Sequence, residues 1–119
     1  MGTPNGVAVG HGPVMGLYSF HGRGTLNGVI PHPGFVEMVE KSATGTKTPL
    51  QKHATVGLLT DASYVQFVNG GTPSLDLCWP TRYTHTGVEM CSLDDLEGLQ
   101  ALITHVVSSF PAHWDGTRD

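Results

Sequence analysis

The C-terminal part of the chain carries the pattern of a helix with an apolar face, and such a face has to be buried against other parts of a protein. Residues 92–110, SLDDLEGLQALITHVVSSF, repeat apolar side chains at intervals of three and four, which is the spacing of an amphipathic helix. Ser92 can cap this helix, and Asp94 and Asp95 complement its dipole. Another part of the chain must cover its apolar face, whose members are Leu93, Leu96, Leu99, Leu102, Ile103, Val106, Val107 and Phe110.

The preceding sequence alternates short apolar runs with turns rich in glycine and proline. Residues 12–20 and 49–57 read as strands, and residues 72–79 resemble a central strand that ends at Pro80. Residues 21–34 contain too much glycine and proline for regular structure, and we expect a long loop there. The chain therefore supplies several strands for the last helix to pack against.

Two further helices are expected between these strands. Pro33 can open the first, which should end near Gly45. The second covers residues 60–71, with Thr60 as its N-cap and Asp61 in its first turn. Strands that alternate with helices predict an α/β fold in which helices flank a sheet, and ligands of such folds usually lie in loops at strand ends. The loop around His85 is one of these.

Composition excludes several classes of protein. The 119 residues favour one domain, and a net charge of −4 without a basic block argues against nucleic-acid binding. The N-terminus lacks the pattern of a secretory signal, and no run is long enough to span a bilayer, so a soluble cytoplasmic protein is expected. Cys78 and Cys91 lie in apolar surroundings, which predicts buried thiols rather than a disulfide.

Seven histidines are a high number for this length, but their spacing does not define a metal site. None is paired with another ligand type as in His-Glu-x-x-His or Cys-x-x-Cys. His105 and His113 are expected to be solvated or packed imidazoles. His11, His21 and His32 lie in turns and are expected to form hydrogen bonds there. A metal-binding protein would need several of four histidines to converge: His11, His21, His32 and His53.

The loop at residues 80–90, PTRYTHTGVEM, and the helix that follows resemble metallopeptidase family forty-two. This family includes glutamyl aminopeptidases, cellulase-like proteins and tetrahedral aminopeptidases. The segments GHGPVMGLY (10–18), PHPGFVEMVEK (31–41) and GLLTDASYVQFVNGGTPSL (57–75) match it in the same order. In the last segment, three residues replace family glycines: Leu58, Leu59 and Ser63. The resemblance covers about residues 2–110. We interpret residues 1–110 as the C-terminal part of one catalytic domain, followed by a tail at 111–119.

This resemblance implies the C-terminal part of a zinc-aminopeptidase-like catalytic domain. The family site holds two divalent metals, zinc or cobalt, and hydrolyses peptides at their N-termini. His85 matches its last metal ligand, whereas the remaining ligands and the general base lie upstream of the matched region. No catalytic residue is therefore assigned, and the chain is expected to be inactive alone. Candidates for the substrate pocket or for supporting the ligand are Thr60, Asp61, Arg82, Tyr83 and Glu89.

Two interpretations of the chain remain open. In the first, it is a segment of an aminopeptidase that acts with an upstream half or as a homo-oligomer. In the second, it is a non-catalytic assembly or binding module that has kept the same fold. Surfaces that an upstream half would cover should be exposed in either case. Metal binding favours the first interpretation, and a stable oligomer without metal favours the second.

Overall fold

A four-stranded sheet is built around β1 (Val14–Phe20). The computed structural model describes residues 6–21 and 28–116 of the chain. β2 (Gly28–Val29) pairs antiparallel with one end of β1, and β4 (Leu77–Cys78) pairs antiparallel with the other end. β3 (Gln51–Val56) runs parallel to β1 along its opposite edge. β1 is therefore the central strand, and the predicted strands at 12–20 and 49–57 are confirmed.

Within the described residues, three α-helices and a separate hairpin accompany this sheet. The helices are α1 (Pro33–Thr46), α2 (Ala62–Val65) and α3 (Leu93–Ser108). The antiparallel hairpin consists of β5 (Thr81–Arg82) and β6 (Met90–Cys91). A helical stretch long and apolar enough to cross a bilayer does not occur in the described residues. The mixture of sheet and flanking helices confirms the predicted α/β class.

The core lies where α1 and α3 pack together against one face of β1. Its fully buried centre is Met15 of β1 with Val39 of α1 and Leu102 of α3. Ala43 and Val106 extend it along the two helices. Burying a side chain of this size contributes about 1.5–3 kcal/mol, so this cluster is the main source of tertiary stability. It also fixes β1, the strand with which β4 pairs shortly before the loop that carries His85.

Local sequence determines α1 at both ends. Pro33 occupies the first turn, and Nδ1 of His32 accepts a hydrogen bond from the Gly34 amide at 3.0 Å. The helix ends at Lys47, whose left-handed conformation (φ 55°) lets its amide reach the carbonyls of Ala43 and Thr44. The predicted helix and the predicted turn role of His32 are both confirmed.

The segment from residue 60 to residue 79 differs from the prediction. The expected helix at 60–71 is reduced to α2 and a 3-10 turn at Val68–Gly70, because Asn69 takes a left-handed conformation (φ 55°) that ends helical geometry. The N-cap position belongs to Asp61, and the Thr60 hydroxyl donates to Asp76 instead. The expected strand at 72–79 forms only β4, which lies beside one end of β1.

Two further expectations were wrong. The loop predicted at 21–34 contains the short strand β2, although residues 22–27 of that loop lie outside the described residues. Cys78 and Cys91 are free thiols, as expected, but both residues are exposed rather than buried, and each lies in a two-residue strand. The Cys78 sulfur itself is partly buried, where its Sγ donates to the Val14 carbonyl at 3.8 Å. Residues 2–5 of the family-like region and 117–119 of the predicted tail also lie outside the described residues.

Helix α3 confirms its predicted position but not the full width of its predicted buried face. Leu99, Leu102 and Val106 are buried, whereas Leu93 and Val107 remain 72% and 70% exposed. The reason is that α1 and β1 cover only one side of the helix. A second apolar strip on α3 therefore remains on the surface of the described fold.

Asp95 ties α3 to the N-terminal segment of the chain. Its carboxylate is 1% exposed and accepts hydrogen bonds from the amides of Gly10 and Gly12, both at 2.7 Å. Gln51 holds the same segment from β3, since its Nε2 donates to the Gly12 carbonyl at 2.7 Å. The expected helix-dipole role is thus only part of what Asp95 does.

Candidate active-site segment

His85 lies in the loop that joins β5 to β6. Pairing of Thr81 with Cys91 and of Arg82 with Met90 brings the two ends of this loop together. Both Tyr83 and His85 have positive φ angles, 58° and 60°. Non-glycine residues seldom adopt this conformation, and where they do, surrounding contacts must hold them. The loop is therefore a specified structure rather than a simple connection.

Side-chain hydrogen bonds hold this conformation. The Glu89 carboxylate accepts the backbone amide of His85, and the Thr86 hydroxyl donates to the Tyr83 carbonyl. The Val88 amide in turn donates to the Thr86 hydroxyl at 3.3 Å. Glu89 thus fixes the backbone of His85 without engaging its imidazole. The imidazole is exposed and available to a metal ion or another partner.

Arg82 and Tyr83 flank the histidine on the β5 side. Both side chains are exposed, and Tyr83 has 58% of its surface accessible. Within the described residues, no carboxylate forms an ion pair with Arg82. A guanidinium and a phenol in this position can bind a polar group that approaches His85.

Thr60 and Asp61 lie in a separate turn that follows β3. Thr60 is half-buried, and its hydroxyl donates to Oδ2 of Asp76 at 3.0 Å. Asp61 begins α2 with its backbone in helical geometry (φ −62°, ψ −26°), but its carboxylate makes no capping hydrogen bond and is exposed. No hydrogen bond or ion pair between described residues connects this turn to the His85 loop. The six candidate residues therefore form two groups.

The metal ligands of a dinuclear centre are not assembled by the described residues alone. Among residues 6–21 and 28–116, no three His, Cys, Asp or Glu side chains are grouped so that they could hold a metal ion. A hydrolytic metal centre needs about three protein ligands and an open position. The residues present do not fit such a centre without further donors, and the scattered histidines do not converge into a different one.

Sequence reasoning missed a polar cluster beside the Asp61 turn. Asp76 precedes β4, and His53 lies on β3 opposite Gly16 of β1. A Cβ atom placed on Gly16 would lie 3.6 Å from Nε2 of His53 and 3.4 Å from Cβ of Asp76. Both side chains therefore lie within van der Waals reach of the same point on β1, and no local sequence signal marks this grouping.

Burial and the Asp76 carboxylate together shift the pKa values of two groups in this cluster. Partial burial lowers the pKa of His53, and attraction to the Asp76 carboxylate opposes that shift. Desolvation is the main cause that raises the pKa of the nearby Cys78 thiol, and the Asp76 carboxylate raises it further. Neutral imidazole and neutral thiol are therefore both favoured here. Asp76 is the group through which these residues and Thr60 are connected.

Comparison with known proteins identifies the family. Residues 3–102 match the model of the M42 glutamyl aminopeptidase family. The chain belongs to this family. SgcX of Escherichia coli (strain K12) is 34% identical over 108 residues, which cover 91% of this chain and 29% of SgcX. The M42 resemblance that the loop at 80–90 indicated is thus confirmed.

Solved M42-like structures share the fold. The TET aminopeptidase of Thaumarchaeota archaeon SCGC AB-539-E09 superposes with a TM-score of 0.78 at 28% identity, covering 87% of this chain and 27% of that one. PhTET1-12s, a dodecamer in its crystal, has a TM-score of 0.69 at 30% identity over 85% of this chain and 28% of its own. The M42 chain described here thus spans less than a third of the length of these relatives.

Proposed function

We propose that this chain is the C-terminal segment of a dinuclear-metal aminopeptidase of the M42 family. Family membership supports the reaction type, which is hydrolysis at the N-terminus of a peptide. The observation that carries the residue assignment is the loop at 80–90, which matches the family motif and holds an exposed His85 imidazole on a fixed backbone. His85 is the ligand that this segment contributes to a zinc or cobalt centre.

The other candidate residues act around that ligand. Glu89 fixes the backbone of His85, and Arg82 and Tyr83 line the approach to its imidazole. Asp61 lies in the separate turn that the Thr60 hydroxyl ties to Asp76, and it contributes an exposed carboxylate to the pocket. The missing ligands and the general base come from the remainder of an M42-type domain, because the chain spans under a third of its relatives. The segment alone therefore has no peptidase activity.

Metal content and hydrolysis test this proposal directly. The purified chain is incubated with zinc or cobalt, its bound metal is measured by mass spectrometry, and aminoacyl reporter substrates are assayed. We expect no turnover and weak metal binding that His85→Ala removes. His113→Ala is the matched control, since His113 is an exposed imidazole outside the motif. Two metals bound per chain together with turnover would refute the proposal, because a complete site would then exist in this segment.

A non-catalytic assembly module is the second candidate function. It is favoured by the large apolar side chains that remain exposed, including Phe67 at 70%, Val107 at 70% and Leu93 at 72%. Self-association through these surfaces is also consistent with the dodecamer formed by PhTET1-12s. Light scattering after chromatography in EDTA separates the candidates. A stable oligomer that forms without metal, combined with wild-type behaviour of His85→Ala, supports the assembly module.

A cytoplasmic location and the absence of nucleic-acid partners complete the proposal. The net charge of −4 supports the absence of nucleic-acid partners. The family of peptide hydrolases to which the chain belongs supports the location. Fractionation of cells that express the chain, followed by immunoblotting, tests the location.

A further inference from the structure

A continuous set of hydrogen bonds connects the Asp61 turn to the sheet. The Thr60 hydroxyl donates to Oδ2 of Asp76 at 3.0 Å. The Thr60 carbonyl accepts both the Ser63 hydroxyl at 2.7 Å and the Ser63 amide at 3.1 Å. Asp61 lies between these two residues in the chain. Its backbone is therefore held on each side by side chains that are themselves bonded.

Gln66 extends this set to a second strand. Its Nε2 donates to the Ser63 carbonyl at 3.0 Å and also to the carbonyl of Gly28 in β2. β2 and β4 pair with opposite ends of β1, and Asp76 immediately precedes β4. Residues on either side of the four-residue helix α2 are thus bonded to chain segments that pair with opposite ends of β1. A helix this short is not stable without such contacts.

The backbone of Asp76 is held by a hydrogen bond of its own, separate from the bond between its side chain and Thr60. The Asp76 backbone carbonyl accepts the Gly16 amide at 2.9 Å, and a Cβ atom placed on Gly16 would come into van der Waals contact with the Asp76 Cβ at 3.4 Å. His53 borders the same space from β3, with Nε2 3.6 Å from the position of a Gly16 Cβ. The backbone of Asp76 is thus bonded to β1 just before β4 begins, and its carboxylate accepts a charge-assisted hydrogen bond from Thr60.

Ser63 occupies a place where the family-like segment would have glycine. Its side chain is completely buried, and its hydroxyl points back to the Thr60 carbonyl. The serine therefore does not narrow a pocket, contrary to what a larger side chain at a glycine position suggests. Asp61 itself is exposed and makes no capping bond. The network fixes the backbone and leaves this carboxylate unoccupied.

We propose that Asp76, Thr60, Ser63 and Gln66 are positioning residues that hold the backbone of Asp61 and thereby keep its exposed carboxylate in one place. This inference rests on the proposed function, in which Asp61 is a pocket residue of the M42 site. A group that is already held in its working orientation does not have to be ordered when a substrate binds. The network is the means by which this chain achieves that order in a turn that has little regular structure.

Amide hydrogen exchange measured by NMR on the full chain tests the network. Thr60→Val removes the hydroxyl with little change in shape, and Thr60→Ser retains it. We expect Thr60→Val to accelerate exchange at Ser63, Tyr64 and Val65 by about tenfold or more, the effect of losing a hydrogen bond to a charged group. Thr60→Ser should stay within about twofold of wild type. The amide shifts of Asp61 should move in the valine variant and be restored by serine.

A second variant removes the acceptor of the same hydrogen bond, so the conclusion does not depend on Thr60 variants alone. Asp76→Ala should accelerate exchange at the same three amides, while the amides of α1 and α3 keep their protection. Unchanged exchange in both variants would overturn the proposal, and so would equal acceleration throughout α1 and α3, because the residues would then support only general stability. Neither metal nor substrate is needed, so this test can fail while the proposed aminopeptidase function stands, and the reverse is also true.

Discussion

Replacing Asp95 should release the N-terminal segment and destabilise the whole fold. Its buried carboxylate accepts the amides of Gly10 and Gly12, each at 2.7 Å. Hydrogen bonds to charged groups contribute about 1.5–3 kcal/mol each, and a buried donor left without a partner costs about 1–3 kcal/mol. Gly12 is buried, whereas Gly10 is exposed and can turn to water. Most of the loss therefore comes from Gly12, and we expect Asp95→Ala to lower the free energy of unfolding by about 2–4 kcal/mol.

Urea denaturation followed by circular dichroism measures this effect. Asp95→Asn keeps one acceptor oxygen but turns an amide group toward the second donor, so its loss should be about 1–2 kcal/mol. Asp94→Asn is the matched control, because it removes the same charge from the same first turn but is exposed. The control should lose no more than about 0.5–1 kcal/mol, the size of a helix-dipole contribution. The reasoning is refuted if Asp95→Ala and Asp94→Asn have equal unfolding free energies.

Two other measurements address glycine and histidine positions. Gly12→Ala should cost at least about 2 kcal/mol in urea denaturation, because φ is +96° and the new Cβ would lie 2.1 Å from the Pro49 carbonyl oxygen. Gly10→Ala, with φ +84° and no atom within 4 Å, is its control and should cost only about 1 kcal/mol; equal losses would contradict the steric argument. His53 has a pKa lowered mainly by burial, so the unfolded chain binds its proton at higher pH and stability should fall as pH drops below about 6.5 toward the folded pKa. NMR titration of the imidazole should give a lower midpoint in the folded chain than in urea, and Asp76→Asn should lower it further; a folded midpoint at or above the unfolded one would disprove the assignment.

The parts of the fold that sequence could predict are those that neighbouring residues determine. Pro33 and the apolar spacing after it define α1, and the heptad-like spacing after Ser92 defines α3. In both cases the information lies within one or two turns of helix. The prediction of one helix at 60–71 failed because Asn69 adopts a left-handed conformation, and the presence of an asparagine does not by itself predict that conformation.

Contacts between distant residues account for what the sequence concealed. Asp95 is 85 residues from Gly10, and Asp76 is 16 residues from Thr60. An acidic residue at a helix start is already explained by the helix dipole, so nothing local indicates that it also binds a second segment. Cys78 is likewise exposed in β4, which is only two residues long. The length of β4 depends on its pairing with the distant strand β1, so local sequence does not indicate it.

In the candidate site, too, the features set by neighbouring residues could be predicted and those set by distant contacts could not. The loop around His85 could be recognised because ten of its residues, 80–89, resemble a family motif, and family membership is confirmed. The hydrogen bond from the His85 amide to Glu89 joins residues four positions apart and could be anticipated as a local turn. The network that holds Asp61 could not be anticipated, because it uses residues from the start of β4 and from β2.

The position of β3 at the end of the sheet has a consequence for how this chain behaves in concentrated solution. The amides of Gln51 and Gly57 donate to Pro13 and Phe20, so alternate residues of β3 face β1 and the intervening ones direct their amides and carbonyls outward. In the described residues nothing pairs with that outer edge. Such an edge is a template for another extended chain, and natural proteins usually protect it with free charges. The lysine of this strand, Lys52, is already engaged by Glu40, which leaves Ala54 and Val56 as the residues that would meet an added strand.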